Sequence, residues 1–239
     1  MRAAAVTQKE LRATFNSPVA YIVVVLLLLV PAIWFFEIED FAGSDVASLR
    51  DYFAVMPILL AVVVPALTMR TWAEERRSGT DEVLLTLPLS GRDLVLGKYF
   101  AGLLTVLLAI VLSGAVPWTV APLGDFDQGE ILGQYVGLLL LSSATLAIGQ
   151  FVSSLSRNQI SSFLMTGLIL LALALSGPFA NAVLLPSWVA DPLRYVSLDA
   201  HYRNFTRGIL DTRDLVYFVG LTALFLYATT RVLLRRRRR

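Results

Sequence analysis

The stretch GRDLVLGKY at residues 91–99 brings two glycines, a lysine and a hydroxyl together, the ingredients of a phosphate cradle. A phosphate loop needs four residues between its glycines and a Ser or Thr after the lysine, because that hydroxyl binds magnesium. Here five residues separate Gly91 from Gly97, and Tyr99 follows Lys98. No strand precedes the motif, so the spacing argues against nucleotide binding. Other chemistry is equally poorly supplied. There is no cysteine, which removes thiolate zinc sites, and no helical H-E-x-x-H. His201 is the single histidine; it falls in a loop between apolar runs and reads as an ordinary surface residue. No catalytic residue, metal ligand or cofactor site is expected on this chain.

The elements that carry these residues are apolar. The 239-residue chain is 56% hydrophobic and 16% charged, against about 25% charged in a soluble domain. A helix needs roughly 20 apolar residues to cross a bilayer. Six stretches qualify: 19–36, 52–69, 99–121, 131–155, 160–185 and 215–234. They lack the period-two alternation of barrel strands, and backbone groups in lipid must bond internally, so helices follow. The expected fold is an all-α polytopic membrane protein with six transmembrane helices in a single domain, 1–239. Its parts are an amphipathic interfacial segment at 1–18, a loop at 70–98, a second loop at 186–214 and a basic tail at 235–239. Ser17-Pro18 reads as cap and first residue of the first span, which is long enough to be a retained anchor rather than a signal peptide. Pro31, Pro57, Pro65 and Pro117 are expected to kink the spans that contain them. Asp211 and Asp214 are candidate caps for the sixth.

Charge orients the bundle. Lys and Arg number 15 on the side of the termini and 5 on the other, while acidic residues number 6 and 12. The positive-inside rule then places both termini and the 70–98 loop in the cytoplasm. The five arginines 235–239 act as a topology lock against an anionic leaflet, with no nucleic-acid partner expected. The six stretches hold no Asp, Glu, Lys or His and a single arginine, Arg231, counted with the tail. Ion-coupled transporters usually carry intramembrane ionisable groups, so their scarcity lowers that class. The remaining polar side chains, such as Thr105, Thr145, Gln150 and Ser153, read as interhelical hydrogen-bonding groups. Gly133 and Gly137 form a G-x-x-x-G that suits either packing within the chain or a dimer seam.

In the 70–98 loop, 70–77 prolongs the second span as a polar helix. Ser78-Gly79 breaks it, with Gly79 free to take positive φ. Thr80 can cap a new short helix, with Asp81 and Glu82 at its positive end. Leu84, Leu85 and Leu87 give it an apolar face, Pro88 stops it, and Ser90 or Asp93 starts the third span. Such a helix either rests its leucines in lipid or serves as a lever for a cytosolic partner. The turn containing Arg157 offers a second, smaller contact on the same side.

The run EERRSGTDEVLLTLPLSGRDLVLGKYFAG resembles the cytosolic loop of type-2 ABC exporter permeases. The matching residues are Glu75, Gly79, Thr80, Leu84, Leu85, Thr86, Pro88, Gly97 and Lys98. KELRATFNSPVAYIV near the N-terminus and YVSLDAHYRNFTRGILDTRDLVYF before the last span are similar to the gliding-motility-type branch. The resemblance implies a permease in the inner membrane that pairs with a second permease chain. It implies a separate ATPase, carrying the ATP and magnesium, that docks on the coupling helix at 80–87. In this branch it also implies a membrane-anchored auxiliary subunit with an outer domain. Trp188, Tyr195, Tyr202 and Phe205 in the 186–214 loop are then either an interfacial belt or contacts for that outer subunit. The alternatives are a membrane scaffold transmitting ATPase-driven force to outer proteins and, less favoured, an ion-coupled secondary transporter.

Overall fold

The computed structural model describes residues 2–39, 41–43, 47–79, 90–183 and 185–237. These residues form helices joined by short turns, with no strand among them. An N-terminal helix α1 (Arg2–Phe15) precedes the first span, α2 (Pro18–Ile33), which runs on as a π-helical turn at Trp34–Ile38. A short α3 (Arg50–Ala54) leads into the second span, α4 (Met56–Thr68), and its extension α5 (Ala73–Ser78). The third span is α6 (Gly91–Ser113) followed by α7 (Ala115–Val120). The fourth is α8 (Gln128–Leu155) and the fifth α9 (Gln159–Ala182). Two short helices, α10 (Ser187–Val196) and α11 (Leu198–Thr206), occupy the 186–214 loop before the sixth span, α12 (Thr212–Arg237). Six helices are long and apolar enough to cross a membrane. Six crossings return the chain to the face on which α1 lies; this face is called proximal below and the opposite one distal.

Local chemistry sets the boundaries. Ser17 Oγ accepts from the Val19 amide, with Pro18 at the first helical position, where its missing N–H costs nothing. Ser90 and Asp93 both act at the start of α6, as a reciprocal capping box. Asp211 accepts from the Arg213 amide at 2.8 Å and so caps α12. Asp214, also a candidate cap, is turned instead to the bundle, as described below. Pro57 does not kink the second span: a break at Val55 makes it the second residue of α4, where proline is favoured. Pro65 does lie inside α4 and Pro31 inside α2. The third span breaks at Gly114, ahead of Pro117.

The fourth span is the axis around which the others pack. It contacts α4, α6, α9, α11 and α12, and Leu141, Ala144, Ala147 and Ile148 on it are fully buried. The first, fifth and sixth spans keep most of their surface outward. Gly133 and Gly137 face α11 of the same chain rather than a second copy. A Cβ at Gly133 would lie 3.0 Å from the Gly208 Cα, and one at Gly137 would lie 2.7 Å from the Phe205 Cγ.

The same packing corrects the reading of the second loop. Tyr202 and Phe205 lie under the fourth span, 1% and 0% exposed, so burial removes them from any outer contact face. Trp188 and Tyr195 do point outward, 78% and 73% exposed. Replacing Gly137 by leucine is expected to lower stability by about 1–3 kcal/mol through overpacking. The same change at Gly220, where nothing lies within 4 Å of the added carbon, is expected to leave thermal unfolding in detergent unchanged.

Candidate coupling site at the proximal face

The residues that flank 80–89 are tied together by one buried cation. Lys98 lies about two turns inside α6, and its side chain is 2% exposed. An ammonium at that depth must be paired, because desolvating it alone costs several kcal/mol. Its Nζ donates to Glu75 Oε1 at 2.7 Å and to Glu10 Oε1 at 3.0 Å. It also sits 5.0 Å over the Trp72 ring, a cation–π contact that fills its remaining side. One side chain therefore joins α1, α5 and α6.

Gly97 makes the pairing sterically possible. A Cβ there would come within 2.6 Å of the Val6 side chain and 3.0 Å of the Ala3 carbonyl oxygen. Any larger residue would push α1 off the third span and carry Glu10 away from Lys98. The glycine and lysine thus act as a unit: one lets the N-terminal helix approach, the other holds it. The amphipathic segment expected at the membrane interface packs one side against the third span.

A second set of bonds anchors α5 to the fourth and fifth spans. Ser153 Oγ accepts from the Trp72 and Ala73 amides at 3.1 and 3.3 Å, satisfying two donors at the start of α5. Arg76 Nη1 donates to the Leu155 and Ser156 carbonyls, both at 2.8 Å, capping the negative end of α8. Glu74 accepts from Gln159 at the start of α9. Arg157 lies exposed in the intervening turn, beside this junction. Gly79 ends α5 with φ 71°, the left-handed geometry its sequence position called for. Thr80, Asp81, Glu82, Leu84, Leu85, Leu87 and Pro88 lie outside the described residues.

Next to the Lys98 hub is a cavity of about 510 Å³, with Arg70, Thr71 and Glu74 at its polar rim and Val19, Leu67 and Leu146 deeper in the bundle. Among the described residues no group of three or more His, Asp or Glu side chains could hold a metal ion.

The distal face is closed by two further polar hubs. Glu130 accepts from Arg50 Nε and Nη2, both at 3.0 Å, from Ser48 at 2.9 Å and from Gln134 at 3.0 Å. Asp214 binds His201 Nδ1 at 2.6 Å and accepts from Asn204 Nδ2 at 2.7 Å. His201 is therefore no loose surface residue. Its ring stacks on Tyr217 with centroids 3.9 Å apart and its Nε2 meets the Tyr195 carbonyl at 2.9 Å. In α11, burial raises the Asp199 carboxyl above the usual carboxylate range, opposed by the Arg203 guanidinium 2.8 Å away.

Six apolar spans with charged hubs at their ends define a multi-pass membrane protein. The family model described as ABC-2 family transporter protein matches residues 36–198, and the chain belongs to that family: it is an ABC-2 type permease, a transmembrane subunit of an ABC transporter. Comparison with curated proteins returns no match. The matched region contains Glu75, Gly97 and Lys98 but neither Glu10 nor the last span.

The sequence pointed to Glu75, Gly79 and Lys98, and to Ser153 as an interhelical hydrogen-bonding group, but Glu10, Trp72 and Arg76 emerge only from the three-dimensional packing. Replacing Lys98 by methionine leaves two carboxylates facing each other without the ammonium that bonds both, and is expected to cost about 3–5 kcal/mol. Adding Glu10→Gln and Glu75→Gln to that variant should recover part of the loss, since both uncompensated charges are then gone. Thermal unfolding in detergent, together with proteolysis of residues 2–15, measures both effects.

Proposed function

We propose that this permease couples ATP hydrolysis on a separate ATPase subunit to movement of a substrate across the inner membrane, in the outward direction. The ATPase docks on residues 80–87, with Leu84, Leu85 and Leu87 entering its groove, Thr80, Asp81 and Glu82 forming the helix start, and Pro88 ending it. Arg157 supplies the smaller second contact. Both termini and the proximal face lie in the cytoplasm, as the excess of Lys and Arg there supports. ATP and magnesium stay on the partner. A second permease chain completes the pathway. The likeness of 9–23 and 195–218 to the gliding-motility-type branch supports an auxiliary membrane-anchored subunit, for which Trp188 and Tyr195 are exposed contacts in the 186–214 loop.

The observation that carries this reading is the ion-paired Lys98. The segment 80–89 leaves α5 and re-enters α6, and Lys98 joins those two helices directly at 2.7 Å while holding α1 at 3.0 Å. A push on 80–87 therefore moves the second span, the third span and the N-terminal helix as one body. Through Ser153 and Arg76 it also loads the end of the fourth. A loop hinged freely at both ends would dissipate the same push.

The test is a paired substitution, Leu84→Asp with Leu85→Asp, in the full chain co-expressed with its ATPase. The expected result is loss of co-purification with the ATPase, while membrane insertion and the melting temperature stay at wild-type values. Undiminished ATPase association, or substrate movement that persists without ATP, would overturn the reading.

A further inference from the structure

Away from the Lys98 hub, a groove of about 390 Å³ runs between the third and sixth spans at the proximal end. Its floor is apolar, made by Val95, Leu96, Leu226 and Leu234, and two arginines, Arg92 and Arg231, stand over it. Among the described residues no carboxylate lines it. Tyr227, which also lines it, is exposed on α12, as are Val219 and Leu224 nearer the middle of that span.

Arg231 is held in an unusual direction for an arginine near the end of a membrane span. Such side chains normally snorkel outward to the headgroups. Here Arg231 Nε donates to the Tyr227 hydroxyl at 2.7 Å, and the guanidinium lies 5.1 Å over the Tyr227 ring. Tyr227 is one turn nearer the bilayer centre, so the side chain is drawn back along α12 and away from the terminal arginines. Binding through Nε leaves the two Nη groups to bind an anion in the planar fork that matches phosphate oxygens. Arg92 approaches from the first turn of α6, on the opposite wall.

We propose that this groove holds one anionic phospholipid. Its phosphate lies between Arg92 and Arg231, and one acyl chain runs along Leu96 and Leu226 and out over the exposed face of α12. The charge of the walls selects the headgroup and the apolar floor requires a tail, so a lipid fits both where a soluble phosphate fits only one. The occupied groove would add to the packing of the sixth span on the third, where Leu233 and Leu226 already cluster with Leu94 and Val95.

The test uses the full chain in nanodiscs of equimolar phosphatidylglycerol and phosphatidylcholine with matched acyl chains, and counts retained lipids by native mass spectrometry. The wild-type chain is expected to retain a single phosphatidylglycerol selectively. Arg92→Gln with Arg231→Gln should reduce that retention about ten-fold or more, given the worth of each arginine near an anionic surface. Arg235→Gln with Arg239→Gln removes the same charge from the tail and should leave retention intact. Leu96→Trp fills the groove while keeping both arginines, and should reduce retention as the double arginine change does. Equal loss in the tail variant would assign the effect to diffuse electrostatics and overturn the proposal. So would full competition by free glycerol 3-phosphate, which would mean that the tail contributes nothing. Unchanged retention in the groove variants, or a change in their oligomeric mass in place of lipid loss, would also overturn it.

Discussion

A buried ammonium with two carboxylates is the constraint on which the proximal half of this permease depends. Lys98 reaches Glu75 and Glu10 across 23 and 88 residues of sequence, so a single desolvated charge fixes three helices that local propensity could not bring together. Buried ion pairs add little net stability compared with apolar packing, but breaking one is costly. The consequence here is geometric. The helices can shift as a group, yet none can leave the others without stranding a charge in a dry environment.

The distal half uses the same device with different residues. Glu130 gathers Arg50, Ser48 and Gln134, and Asp214 gathers His201 and Asn204. The cores of the spans between these ends are held mostly by small-residue contacts and by hydroxyls bonded back to their own helices, such as Thr105 to the Ala101 carbonyl and Thr145 to that of Leu141. Charge is thus concentrated at the two faces, while packing and neutral hydrogen bonds, such as those of Ser143 to Tyr99 and Thr222, join the spans in between. Such a bundle can rearrange its middle, where no charge must be desolvated, while its ends remain stitched.

The sequence disclosed what depends on local physics. Apolar runs of sufficient length gave the six spans, because hydrocarbon thickness leaves few alternatives. Gly79 and the Ser90–Asp93 box were readable because a helix end is decided by its nearest residues. Long-range pairings were not readable in this way. Lys98 was visible as part of a motif, but nothing along the chain connects it to Glu10. Tyr202 and Phe205 misled for a physical reason: an aromatic residue in a loop looks the same whether it anchors at an interface or fills a core. Only the approach of α11 to Gly133 and Gly137 decides between them. Pro57 misled similarly, since one proline can kink a helix or begin one, and the break at Val55 determines which.

The chain order of the Lys98 partners also dictates a sequence of events during biogenesis. Glu10 and Glu75 leave the ribosome before Lys98 does, so each must wait hydrated at the membrane boundary until the third span follows. Closure of the hub requires the third span to begin on the face where α1 and α5 already lie. A nascent chain whose third span enters in the wrong orientation carries its lysine to the opposite surface, and both earlier helices are left unlatched.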